Sequence, residues 1–223
     1  MIEANDIFFD SDSRIALWCD DMGDTNEIAG LANDIIENKI SLISVPSIAV
    51  SPVWTYLEKS NVKIFTRHIL ETVNKNFDND VSKLSEQIMA DYKNGADGIQ
   101  IFVKMRDFER FVDLLIMIRD DLFFEHELCL VMDVKDMCIE NIDLIFEKLS
   151  AVRANAFGIC LSEDMGVRSD FIGRIYGMLE RWNFNGDLHF ILGNNFERID
   201  QTIRLIESMK PELSERVRFF IEN

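Results

Sequence analysis

Eight short apolar runs recur along this chain at intervals of roughly 22 to 35 residues, and each but the last leads into a stretch with helical spacing. They are RIALWCDD from Arg14, ISLISVPS from Ile40, VKIFTRH from Val62, DGIQIFVKM from Asp97, LCLVMDVKD from Leu128, AFGICLSED from Ala156, DLHFILGNN from Asp187 and VRFFIEN from Val217. Between them apolar residues return every three or four positions: Val81, Leu84, Ile88 and Tyr92 form one stripe, Ile142, Ile145, Phe146 and Leu149 a second, Phe196, Ile199, Ile203 and Ile206 a third. Strands with so little internal polarity are buried on both faces, and alternation with helices makes them parallel. An open doubly wound sheet would carry a glycine-rich nucleotide turn after a strand, and neither GxGxxG nor GxxxxGK[ST] occurs. The pattern therefore predicts an α/β fold, a parallel eight-stranded (β/α)8 TIM barrel.

With 223 residues, 48% of them hydrophobic, three prolines and no linker-like tract, the chain reads as one domain over 1–223, with 1–13 as an N-terminal extension. The eighth strand ends the sequence, so the barrel is expected to lack its eighth helix. The segment NDIFFDSD or a neighbouring subunit is then expected to cover that strand's outer face. The fourth helix, FERFVDLLIMIRDDLFF, is apolar round most of its circumference, which points to a homo-oligomer contact.

A net charge of −17, from 40 acidic and 23 basic residues with no basic cluster, repels phosphate backbones and anionic membranes. Nucleic acid and membrane are thus not expected partners. The N-terminus has neither a basic start nor a sustained apolar run, so a cytoplasmic location is expected. Cys19, Cys129, Cys138 and Cys160 lie in or beside apolar runs without CxxC spacing, and read as reduced core thiols.

The stretch from Ile40 to Thr66, ISLISVPSIAVSPVWTYLEKSNVKIFT, resembles the second and third strands of the 2-deoxyribose-5-phosphate aldolase family. In that family a strand ending in a small polar residue and proline leads through a helix into VK and a strand bearing Thr. NGADGIQIFVKM resembles its fourth strand and ELCLVMDVKD its fifth, so the likeness spans most of the chain from Leu17. The resemblance implies a Schiff-base aldolase, with a lysine on the sixth strand, a second on the seventh and a carboxylate on the fourth. The corresponding positions fall at about Ile159, Phe190 and Gln100, and no lysine occurs between Lys148 and Lys210. The family's phosphate cup needs glycine-rich turns after strands seven and eight, yet no glycine follows Gly193. A phosphosugar substrate is therefore not expected.

Barrel sites lie at the strands' carboxyl ends. Strand alternation puts Gln100 and Lys104 on one parity, and Asp133 and Lys135 on one parity. Lys104 and Lys135 are candidate amines and Asp133 a candidate proton shuttle, against the alternative of a salt bridge closing the barrel top. Candidate substrate-binding residues are Asp20, Ser44, Thr66, Arg67, His68, Gln100, Ser162, Glu163 and Asn194. Trp18 and Trp54 are candidate apolar walls, and His189 reads as a core or edge histidine before a base. Asp20, Asp21, Asp133, Glu163 and Asp164, with His68, could hold a hard cation, but lip acids also cap helices, as Asp24 and Asn195 are placed to do. Without H-x-H or HExxH spacing, no metal or cofactor is assigned.

Three functions follow as alternatives. One is an aldolase- or lyase-like barrel acting on a small non-phosphorylated carbonyl or polyol metabolite. Another is a catalytically inactive barrel serving as a binding or oligomeric interaction protein, and the last a divalent-metal-dependent lyase.

Overall fold

The computed structural model describes residues 14–20, 22, 24–69, 77–122, 126–161 and 168–222, without the side chains of 77–81, 114, 117–122, 168 and 169. Its strands are β1 (Ile15–Trp18), β2 (Leu42–Val45), β3 (Lys63–Ile69), β4 (Gly98–Phe102), β5 (Glu127–Asp133), β6 (Ala156–Cys160), β7 (Asp187–Ile191) and β8 (Val217–Glu222). The helices following the first seven are α1 (Thr25–Glu37), α2 (Val50–Leu57), α3 (Phe77–Lys93), α4 (Met105–Leu122), α5 (Ile142–Ala151), α6 (Arg168–Glu180) and α7 (Phe196–Met209). All neighbouring strands are parallel and the sheet closes, β1 pairing with β8 from Ile15 opposite Phe219 to Trp18 opposite Glu222. The chain has the expected TIM barrel, and β8 is the last element among the described residues.

Closure divides the strand side chains into two cores, because successive residues point to opposite faces. Ala16, Leu42, Phe65, Cys129, Val131, Ala156 and Phe220 fill the interior, capped by the partly buried Trp18, Phe102, Cys160 and Ile191 at their strands' carboxyl ends. The alternate set, including Ile43, Ile64, Ile99, Leu130, Phe157 and Phe190, packs with the helices in a second, larger core. Each such residue contributes about 1.5–3 kcal/mol by leaving water. The narrow interior also needs a missing side chain: a Cβ on Gly158 would lie 2.7 Å from Val131 Cγ2. The floor is closed by ion pairs, Lys63 with Glu127 and Arg216 with Asp187.

The helical stripes face inward as expected: Leu84 and Ile88 of α3, Ile142, Ile145, Phe146 and Leu149 of α5, and Ile199 and Ile206 of α7 are buried. Asp24 caps α1 by accepting from the N–H groups of Asn26 and Glu27, and Asn195 caps α7 by accepting from that of Arg198. On α4, Phe108, Phe111, Val112 and Leu115 are buried within the chain, while Ile116 is exposed. The outer residues of β8, Val217, Phe219 and Ile221, are buried too, so that face is not left wet. NDIFFDSD lies outside the described residues.

One polar link crosses the helix layer. His68 Nε2 on β3 lies 2.8 Å from Asp91 Oδ2 on α3, both side chains buried, and the other Asp91 oxygen accepts from Ser47 Oγ in the turn after β2. Asp91 therefore ties α3 to β3, through a buried contact, and to the turn after β2. Asp91→Ala is expected to lower stability by about 3 kcal/mol, the cost of stranding a buried partner. Urea unfolding checks this, with Asp91→Asn, which keeps the shape and one acceptor, expected to lose less.

Candidate functional site

Inward parity brings a defined set of side chains to the mouth: Trp18, Ser44, Arg67, Gln100, Phe102, Asp133, Cys160, Ile191 and Glu222. Two cavities open there. One of about 840 Å³ lies over β6, β7 and β8, with Trp18, Phe102, Cys160, Ile191, Asn194 and Glu222 in its wall. The other, about 200 Å³, lies over β3 to β6, lined by Ile69, Phe102, Lys104, Val131, Asp133, Lys135 and Cys160 among others. Phe102 and Cys160 belong to both, so the two share a wall.

The smaller cavity holds the candidate amines and carboxylate together. Asp133 ends β5 and accepts from the Lys135 N–H at 2.9 Å, which fixes the turn that carries Lys135. Lys135 Nζ stands 3.3 Å from Asp133 Oδ2, and its side chain is half exposed. The ion pair expected as the alternative to chemistry is therefore present, in a cleft that also contains Lys104. Cys160, between the cavities, is held as a neutral thiol: burial pushes its pKa up to about 12, the Asp133 carboxylate adding to the effect.

A second feature of the mouth is Arg67. Its guanidinium lies 4.0 Å from the centroid of Trp18, pairs with Asp20 at 2.9 Å and donates to the Cys19 carbonyl. Burial lowers its pKa and the Asp20 carboxylate opposes the shift. Trp18 Nε1 donates to the same Asp20 oxygen at 2.8 Å. Beneath it, Ser44 Oγ donates to Gln100 Oε1 at 2.7 Å, both residues fully buried. Asp20, Ser44, Arg67 and Gln100 are thus gathered as the sequence suggests, and Asn194 lines the larger cavity.

Other expectations need correction. Thr66 and His68 share the parity of Ile64, so they face the helices and not the mouth; His68 is engaged by Asp91. Arg67 and His68 are adjacent and cannot share a strand face. Ile159 and Phe190 also belong to the outer core, so the interior positions of β6 and β7 are Gly158, Cys160, His189 and Ile191. None is a lysine. Trp54 sits on α2, 42% exposed and packed on Gly95, away from the mouth. Cys138 is exposed, unlike a core thiol. Asp21, Ser162, Glu163 and Asp164 lie outside the described residues, among which no three His, Cys, Asp or Glu side chains converge as a metal site would need.

Sequence reasoning missed the polar role of Trp18, the cavity wall of Phe102 and Cys160, and Glu222. Counting parity outward from Gln100 would have found Phe102. After β7, Gly193 turns the chain with φ +58°, and Glu222 Oε1 lies 3.0 Å from where its Cβ would be. A carboxylate thus rests on the turn before α7, where barrels commonly hold phosphate.

The sequence matches no protein-family model and no curated protein. Solved structures are similar in fold. The tetrameric deoxyribose phosphate aldolase of Aeropyrum pernix superposes with a TM-score of 0.66 at 9% identity, over 94% of this chain and 85% of that one. An aldolase designated QR15 gives 0.65 at 13% identity over 94% and 90% of the two chains. The homocysteine methyltransferase MmuM of Escherichia coli gives 0.62 at 8% identity, over 94% and 90%. The likeness to deoxyribose-phosphate aldolases therefore holds for the fold, which other chemistries share.

Among the interior groups, His189 titrates far from its ordinary range. Its ring sits between Phe65 and Phe220, its Nδ1 has no hydrogen-bond partner, and burial, with Arg218 and Lys63 adding to it, lowers its pKa to about 3. The folded protein keeps this imidazole neutral, while the unfolded chain binds a proton below its ordinary pKa of about 6.5. Stability is therefore lost as pH falls from about 6.5 toward 3. Between pH 7.5 and 5 the wild type is expected to lose about 2 kcal/mol more than His189→Leu, measured by urea unfolding at each pH.

Proposed function

We propose that this barrel is an aldolase-like lyase acting on a small non-phosphorylated carbonyl metabolite, with its reactive amine on the β4 or β5 side of the mouth. The observation that carries the reading is the shared cavity of Lys104, Lys135 and Asp133. Two amines and a carboxylate in one cleft walled by Ile69, Phe102 and Val131 are the groups that imine chemistry uses, at an unusual place in the barrel.

In the proposed cycle one lysine, as free amine, adds to the substrate carbonyl, and loss of water gives the protonated imine. Asp133 then takes the proton of the β-hydroxyl while the carbon–carbon bond breaks. The electron pair enters the imine, leaving an enamine and releasing an aldehyde. The proton returns to the enamine carbon from Asp133, and water hydrolyses the imine to restore the lysine. Glu222 against the Gly193 turn supports a substrate without phosphate, because it sets a negative charge beside the anion's usual seat.

Borohydride reduction in the presence of small aldehydes and ketones, read by intact mass, tests the assignment. One stable adduct per chain is expected, lost in Lys104→Ala or in Lys135→Ala. The absence of an adduct with every carbonyl offered, or an adduct surviving both substitutions, would remove these lysines from the mechanism.

A further inference from the structure

The mouth holds more buried hydrogen-bond donors than its own acceptors satisfy. Arg67 and Gln100 are direct neighbours across β3 and β4, both on the inward parity. Arg67 Nη1 and Gln100 Nε2 are each buried and find no hydrogen-bond partner. Because Gln100 Oε1 already accepts from Ser44, the amide presents its N–H side to the interior. Trp18 Nε1 and Arg67 Nη2 complete the group, and both are served by one oxygen of Asp20, at 2.8 and 2.9 Å.

Asp20 itself shows what these donors fit. It is a carboxylate, its side chain is 70% exposed against 12% for Arg67, and an ion pair so open to water is weak and easily exchanged. A planar guanidinium fork matches the two oxygens of a carboxylate, and an orphaned buried N–H gains most from a new acceptor. Phe102 packs edge-on to Trp18 with ring centroids 5.9 Å apart and also lines the cavity of Lys104 and Lys135, so this one ring links the donor group to the proposed reaction cavity.

We propose that the barrel takes its substrate by a carboxylate, which displaces Asp20 from Arg67 and Trp18 and engages the unused donors of Arg67 and Gln100. The substrate class is then a small oxo- or hydroxy-carboxylic acid, with Arg67 as the anchor and Asp20 as a built-in competitor. The assignment rests on the preceding reading only for the reactive carbonyl; the carboxylate site stands on its own donors.

Calorimetric titration with propionate, pyruvate and inorganic phosphate separates the two. Propionate has a carboxylate and no aldehyde or ketone group, so its binding owes nothing to imine formation with a lysine. The wild type is expected to bind propionate and pyruvate but not phosphate, Asp20→Asn to bind propionate roughly tenfold more tightly, and Arg67→Gln to lose binding. Since Arg67→Gln removes a buried group and risks misfolding, the exposed Asp20→Asn variant decides the matter. Unchanged propionate affinity in Asp20→Asn, no binding by either protein, or phosphate bound as tightly as propionate would overturn the proposal. Propionate binding without any borohydride adduct would sink the lysine chemistry alone; an adduct without propionate binding would sink the carboxylate site alone.

Discussion

The ladder between β1 and β8, from Ile15 opposite Phe219 to Trp18 opposite Glu222, turns a sheet with two open edges into a cylinder. With the edges gone, the hydrogen-bonding groups along each strand have a neighbouring strand on both sides, and every strand side chain is committed either to the interior or to the helix layer. The consequences reach the smallest details. Gly158 has no side chain because Val131 already fills its space, and Thr66 is withdrawn from the mouth because Phe65 and Arg67 are inside. A one-residue change of register on any strand would exchange the two cores.

Within the cylinder polarity is graded along the axis. The floor is sealed by Lys63 with Glu127 and Arg216 with Asp187, the middle is apolar around a neutral His189, and the top collects Arg67, Asp133, Lys135 and Glu222. Such a gradient concentrates chemistry at one end, since charges carry a large desolvation cost anywhere deeper. Phe102 and Cys160 then split the mouth into a compartment with amines and a wider one with a carboxylate lip. An acidic chain that nonetheless keeps Arg67 mostly buried, with Asp20 as its exposed partner, holds its main positive anchor ready to exchange one carboxylate for another.

The architecture was legible because a parallel barrel buries both faces of its strands, leaving unbroken apolar runs, while its helices bury one face and leave a stripe. All eight strands and the α3, α5 and α7 stripes were visible this way. The mouth was legible only in part. Alternation grouped Gln100 with Lys104 and Asp133 with Lys135, but the candidate set drew both Arg67 and His68 from one strand, where adjacent residues point to opposite faces. Ile159 and Phe190 face the helices, and strands apolar on both sides carry no alternation from which to tell their inward set. Trp54 was a candidate apolar wall, but it packs on Gly95, which lies 41 residues away in the sequence.

By itself the sequence determined the barrel, the absence of a lysine from the sixth and seventh strands and the excess of negative charge, all of which follow from residue types and local period. Tertiary structure alone decided which polar groups meet. That Arg67 lies over Trp18, that Gln100 spends its carbonyl on Ser44 and keeps a buried N–H, that His68 answers to Asp91, and that Lys104 shares a cleft with Lys135 depend on closure distances between strands far apart in the chain. Period reports which face a residue takes; only the closed cylinder sets what stands opposite it.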